Sequence, residues 1–282
     1  MLATRIRRGF KPLALTTAAL LAGLTPALTA APAAATTPAY DGTYGETYGE
    51  TYDDAYDDTY YADAIGKSGA ALKDSLHEII SDQDTLSYSA VWNALKVTDE
   101  DPADSDNVKL LYSGISRSKS LNGGSTGNWN REHVWAQSHG DFGTSAGPGT
   151  DLHHLRPEDV QVNSIRGNKD FDHGGSGFTN SGGSLTDSDS FEPRDAVKGD
   201  VARMILYMAV RYEGDDGRPD LEANDSINGS VPLHGRLSVL KQWNDEDPPD
   251  AFEERRNEII YDTYQGNRNP FIDHPEWVES IW

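Results

Sequence analysis

TDLHHLRPEDVQVNSIRGNKDF, residues 150–171, changes backbone period in the middle. TDLHHLRP reads as a short strand, and Pro157, which has no N–H to donate, helps to end it. Asp159 is the right residue type to cap a helix, and DVQVNSIRGNKDF carries Asn163 on that helix. Gly167 weakens the helix and keeps it short. Upstream, WNREHVW at 129–135 reads as a second short strand, and the glycines at 140, 143, 147 and 149 make the segment between them a loop. Two strands and a helix therefore gather Glu132, His133, His139, Asp151, His153, His154, Asn163 and Arg166 within 40 residues, including four of the eight histidines of the chain.

Two kinds of chemistry suit that set. A zinc hydrolase could use His133, His139, Asp151, His153 and His154, but no HExxH helix or other established zinc spacing is present. A hard divalent cation held by Glu and amide oxygens, with a neutral histidine as base, fits the residue types better. One difficulty is geometric. Glu132 and His133 are adjacent, and neighbours on a strand point to opposite faces. If both serve one site, a bulge or a strand end has to re-aim one of them.

Composition sets the frame. The formal charge of −22 becomes −26 without the four basic residues of the first 35 positions. Such acidity favours cation capture and opposes non-specific polyanion binding, so a nucleic-acid partner has to be argued from a site. Cysteine is absent, which excludes disulfides, thiolate metal sites and a cysteine nucleophile. Arg5, Arg7, Arg8 and Lys11, the apolar stretch 13–28 and AAPAAA at 30–35 form a secretory signal, placing the protein outside the cell with no stable membrane association. Residues 36–65 carry Tyr at 40, 44, 48, 52, 56 and 60 among acids and glycines, with almost no aliphatic material, and read as an unstructured acidic spacer.

Residues 66–282 read as one domain. Leu72, Leu76, Ile79 and Ile80 mark one amphipathic helix, and Val91, Trp92 and Leu95 a second. The acidic run 99–107 reads as a solvated loop, and Val108–Tyr112 as a strand. Val201, Met204, Ile205, Met208 and Ala209 give a later helix one apolar face. Leu237, Leu240 and Trp243, then Phe252, Ile259, Ile260 and Tyr264, continue the helical pattern, and a Pro- and Trp-rich tail packs back on the body.

Trp129–Trp135, Asp151–Pro157, Val162-Asn163 and Arg166-Gly167-Asn168 together resemble the bacterial endonuclease I family, in its secreted branch. That family belongs to the ββα-metal, or His-Me finger, nucleases. The likeness is close over those motifs and runs from about 66 to the end, through KGDVARMILYMAVRY at 198–212 and NRNPF at 267–271. It implies an α+β, helix-rich single domain built around two short antiparallel strands and a helix. It implies Glu132 and Asn163 as metal ligands, His133 as general base and His153 in a supporting catalytic role, and leaves His154 unassigned. The implied ion is Mg²⁺, with Ca²⁺ or Mn²⁺ as alternatives. The implied activity is that of a secreted, monomeric, largely sequence-nonspecific endonuclease acting on DNA, with RNA left open, and leaving 5′-phosphate and 3′-hydroxyl ends.

The family's arginine between the strands has no counterpart, because AQSHGDFGTSAGPG at 136–149 lacks Arg and Lys. Arg131, Arg156 and Arg166, with Lys169, are the substrate-binding candidates, and Arg117 and Lys119 extend the patch. The competing class is an exported, acidic calcium-binding protein using the Asp-rich segments 99–106 and 186–195. It explains the charge but not Glu132-His133 with Asn163.

Overall fold

The computed structural model describes residues 59–282; the segment 1–35, expected to be a signal, and most of the expected spacer 36–65 lie outside the described residues. Helix α1 (Gly69–Ser81) buries Leu72, Leu76 and Ile80 on one face, as their spacing requires. Helix α2 (Tyr88–Thr98) starts where the Ser87 hydroxyl accepts from the Ala90 amide at 3.3 Å, and it buries Val91, Ala94 and Leu95. Each such fully buried aliphatic side chain contributes about 1.5–3 kcal/mol.

The acidic run that follows is not a solvated loop. Strands β1 (Glu100–Asp101) and β2 (Asp104–Lys109) form an antiparallel hairpin, extended by β3 (Ser116–Ser118). Asp99 is fully buried, accepting from Arg156 Nε at 2.5 Å and Arg256 Nε at 3.3 Å. A carboxylate can enter the core when two guanidiniums meet it there.

Strand β4 (Trp129–His133) pairs antiparallel with β5 (Leu155–Asp159) in continuous register, from Trp129 opposite Asp159 to His133 opposite Leu155. Helix α3 (Val160–Arg166) follows at once; Asp159 caps it through the Gln161 and Val162 amides, and Gly167 ends it at φ 61°. The second strand thus lies later than its sequence suggests. Residues 151–154 form turns, and Pro157 sits inside β5 opposite Arg131. A two-stranded sheet has only edge strands, where proline is tolerated, and the Pro157 carbonyl is used by the Leu111 amide at 3.1 Å.

A four-stranded sheet of short strands, β6 (Asp170–Phe171), β7 (Ser176–Gly177), β8 (Leu185–Thr186) and β9 (Ser190–Glu192), leads to helix α4 (Lys198–Arg211). Every residue of α4 from Gly199 onward is buried, so it is the central helix rather than one with a single apolar face. Its charges are paired internally. Asp200 meets Arg156 at 3.2 Å, and Arg203 Nε donates to Glu253 at 3.0 Å. Parallel strands β10 (Glu222–Ala223) and β11 (Leu233–His234) precede α5 (Leu237–Glu246), α6 (Ala251–Ile259), a π-helical stretch at Ile260–Gln265, α7 (Pro270–Asp273) and α8 (Trp277–Ile281).

Residues before 66 also pack on the body. Tyr61 is fully buried, its hydroxyl donating to Asp273 at 2.6 Å, and the Tyr60 hydroxyl accepts from the Arg268 amide at 3.1 Å. Composition could not show this, because the partners of these two tyrosines are some 200 residues away. Among the described residues no helix is long and apolar enough to cross a membrane. The architecture is mixed helix and sheet, with one core around α4 and a second formed by α2, Trp129, Leu152, Leu155 and Ile260. The β4–β5–α3 unit lies against both.

Candidate active site

Strand β4 places Asn130 and Glu132 on one face and Arg131 and His133 on the other. It contains no bulge. Pairing stops at His133, and the strand end is held by one side chain. Arg166, at the last turn of α3 and fully buried, donates to Glu132 Oε1 at 3.0 Å, to the His133 carbonyl at 2.8 Å and to the Val134 carbonyl at 2.6 Å. Its remaining hydrogen-bond partner among the described residues, at 3.1 Å, is His234 Nε2. Adjacent residues on opposite faces are thus fixed by a common clamp.

Glu132 is 2 % exposed. The Tyr112 hydroxyl donates to the same Oε1 at 2.9 Å, and Oε2 accepts no hydrogen bond among the described residues. Burial pushes this carboxyl up to about 7, although Arg166 and Tyr112 pull it down. Asn163 donates its Nδ2 to Asn130 Oδ1 at 3.0 Å and lies 3.5 Å from the Arg131 carbonyl. A backbone carbonyl only accepts, so the NH₂ group is on that side and Oδ1 is left over. A carboxylate oxygen and an amide oxygen, each unused by protein, are donors that suit a hard divalent cation.

His133 points its Nε2 at the Gly149 carbonyl, 3.1 Å away. That oxygen can only accept, so the ring proton belongs on Nε2 and the lone pair on Nδ1. The Gln137 amide nitrogen, 3.3 Å from the same Nε2, gives one of its two protons to the Gly143 carbonyl, 2.7 Å away. Burial, followed by the neighbouring His154, lowers the His133 pKa to about 3, so the ring is neutral at pH 7.

The acceptor loop is itself held. His154 contacts the Pro148 carbonyl at 2.7 Å through Nε2, and accepts the Trp135 amide at Nδ1, 3.3 Å away. Gly149 has to be glycine, because a Cβ there would lie 2.6 Å from the Gly143 carbonyl oxygen. Gly149 and Tyr112 carry no signal in motif spacing, and His154, although inside the Asp151–Pro157 motif, had no role assigned; their folded contacts connect all three to the site.

His153, expected to support catalysis, packs its ring on Tyr207 (4.6 Å between centroids) and sets Nε2 3.1 Å from the Asn267 carbonyl. Its contacts hold the C-terminal segment. Two of the four substrate-binding candidates are also internal. Arg156 is 2 % exposed between Asp99 and Asp200, and Arg166 is fully buried. A guanidinium sealed in such pairs cannot reach a phosphate without leaving a buried carboxylate unpaired. Lys169 is half-buried, donating to the Ile165 carbonyl and to Thr186. Arg131 is half-buried against two aromatic rings. Arg117 and Lys119 are paired with Asp159 and Glu100.

The histidines of the zinc alternative do not converge. His139 instead lies near Asp170 and His234, but its two nitrogens face the Leu233 and Asn168 carbonyls at 2.6 and 2.8 Å. His234 is likewise engaged by Arg166 and by Asp170. Protein groups thus already lie against the ring nitrogens of that cluster, and it shares no residue with Glu132, His133 or Asn163. Among the described residues neither Asp-rich segment invoked for calcium contributes to a converging acidic group.

The family model described as Endonuclease I matches residues 68–276 of the chain. An extracellular ribonuclease of Bacillus amyloliquefaciens is 69% identical over 224 residues, which is 79% of this chain and 78% of that relative. One from Bacillus subtilis (strain 168) is 67% identical over the same lengths.

Proposed function

The chain belongs to the endonuclease I family, and on that premise we propose an exported, metal-dependent endonuclease that hydrolyses RNA and DNA with His133 as general base. The single observation that carries this reading is the state of His133. It is a neutral imidazole whose Nε2–H is committed to the Gly149 carbonyl, which leaves the Nδ1 lone pair free. In use, Nδ1 takes a proton from water as the water oxygen bonds to phosphorus. The P–O3′ bond breaks, the 3′ oxygen is protonated from solvent, and His133 returns its proton to solvent.

Glu132 Oε2 and Asn163 Oδ1 would hold the cation, most simply Mg²⁺. Such an ion supplies charge stabilisation to the phosphoryl and leaving oxygens. Arg166 and Tyr112 keep Glu132 in place while it does so. Hydrolysis by water has no need of a 2′-hydroxyl, so both polymers are substrates; the naming of both relatives as extracellular ribonucleases favours RNA as the main one. Export follows from the same names and from the basic and apolar order of the first 35 residues.

The test compares an RNA oligonucleotide with its 2′-deoxy counterpart, with Mg²⁺ and with chelator. Cleavage of both in Mg²⁺, with 5′-phosphate and 3′-hydroxyl ends, is expected. A 2′,3′-cyclic phosphate, or cleavage confined to RNA, would mean that the 2′-hydroxyl attacks and that His133 has another role.

A further inference from the structure

One cation beside the site is not explained by the fold. Arg131 lies with its guanidinium carbon 3.4 Å from the Tyr88 ring centroid and 4.1 Å from that of Trp92. The two rings are one helical turn apart on α2, on one face, so the planar group is held between them. One nitrogen donates to the Tyr88 carbonyl. Among the described residues no carboxylate pairs with Arg131, whereas Arg156, Arg166, Arg203 and Arg256 are all in buried ion pairs. In a chain with 46 acids and 24 Lys and Arg, a guanidinium beside the site without an acid stands out.

Its position is specific. Arg131 and His133 share a face of β4, two residues apart, and the Tyr88 ring lies 5.8 Å from the His133 ring. Tyr88, Trp92 and Arg131 are all half-exposed. Trp92 is braced from behind by the edge-on Trp129 at 5.3 Å, so the rings form a rigid frame.

We propose that the Tyr88–Arg131–Trp92 cluster is a subsite for a backbone phosphate of an unpaired polynucleotide strand, next to the phosphate being cleaved. The inference rests on the nuclease reading above and adds the substrate class. A guanidinium kept flat between two rings has fewer states to lose on binding and presents its outer edge to a phosphate. Bases on either side of that phosphate can pack on the exposed edges of these rings only when unpaired. The subsite gives this acidic protein a way to hold a polyanion without a broad basic face.

Binding is measured in chelator, where no turnover is needed, by anisotropy of a fluorescein-labelled 12-mer, single-stranded or duplex, across a salt series. Arg131→Met is expected to weaken single-strand binding about tenfold at low salt and to lower the slope of log Kd against log salt by about 0.7, the value of one contact to a single strand. Arg131→Lys should keep the slope and lose affinity, since charge remains and stacking does not. Tyr88→Leu and Trp92→Leu should weaken single-strand binding and leave duplex binding nearly unchanged. If Arg131→Met lowers the melting temperature but leaves affinity and slope as in the wild type, Arg131 is only a staple between α2 and β4 and the proposal fails. Equal losses on duplex and single strand would overturn the choice of strand. Since none of these readouts needs cleavage, a failure of the catalytic reading would show separately, as an intact chain that binds and does not hydrolyse.

Discussion

Glu132 and Asp151 are both carboxylates with almost no exposure, and they are treated in opposite ways. Asp151 is saturated. Its Oδ2 accepts from Tyr207, Tyr212 and Gln83 at 2.9, 2.8 and 3.1 Å, and its Oδ1 from Gln265 and the His153 amide at 3.0 and 2.9 Å. Burial alone would raise its pKa, but His153 and His154 beside it, with those hydrogen bonds, outweigh that and hold it at about 2. Glu132 has two donors on one oxygen and none on the other, and it is pushed up to about 7. A carboxylate that only holds a fold together is given all the donors it can accept. One left short, beside a neutral histidine, has capacity for something the protein does not supply.

The comparison fails most visibly at the histidine. His133→Ala should lower kcat by about 10²- to 10⁴-fold, the usual cost of losing a positioned base, while Mn²⁺ affinity measured by calorimetry stays near wild type. Near-normal turnover in that variant would leave Glu132 without a partner in chemistry.

Next in size is Asp151→Ala, which strands two tyrosine hydroxyls and a glutamine in the core. A loss of about 3–5 kcal/mol in denaturant unfolding is expected. The charge contributes in a definite pH window. The folded pKa is depressed from 3.8 to about 2, so the stabilisation is complete above the unfolded value and lost as pH falls through about 2. A wild-type unfolding series between pH 5 and 2 checks the direction.

Glu132→Gln sharpens the contrast with the opposite sign. Its folded pKa is raised, so its favourable contribution exists below the unfolded pKa and is lost as pH rises through about 7. At pH 8 the variant should melt no lower than wild type while losing metal affinity. A clear fall in melting temperature would make Glu132 a structural acid like Asp151.

The smallest effect is one of degree. Protons and cation compete for Glu132, so metal affinity should fall about tenfold for each pH unit below about 7. The acid limb of kcat/KM should accordingly move to lower pH as the ion is raised from micromolar to millimolar. A limb that ignores ion concentration would separate the titration from the metal site.

Much of the local structure was legible in the sequence. Asp159 caps α3, Gly167 ends it, and the faces of α1 and α2 follow the apolar spacing. The two strands were visible too, although β5 lies later than its residues suggested, because Asp151–His154 is committed to turns. What escaped was charge. Asp99 read as part of a solvated loop and Arg156 as a substrate contact, and both lie inside, as do Asp200 and Arg203, to which no position was given. Tyr60 and Tyr61 read as spacer and belong to the body.

By itself the sequence determined which groups were available: an acid, a histidine and an amide on two strands and a helix, and no thiol anywhere. Those are properties of neighbours a few residues apart, set by backbone period and capping. Tertiary structure alone decided their states. Arg166 reaches Glu132 from 34 positions away, Tyr112 from 20, and the Gly149 carbonyl that fixes the His133 tautomer from 16. Desolvation and hydrogen-bond saturation depend on everything packed around a group. A buried carboxylate therefore becomes a sealed strut at Asp151 and keeps one oxygen without a donor at Glu132, according to contacts that no local pattern records.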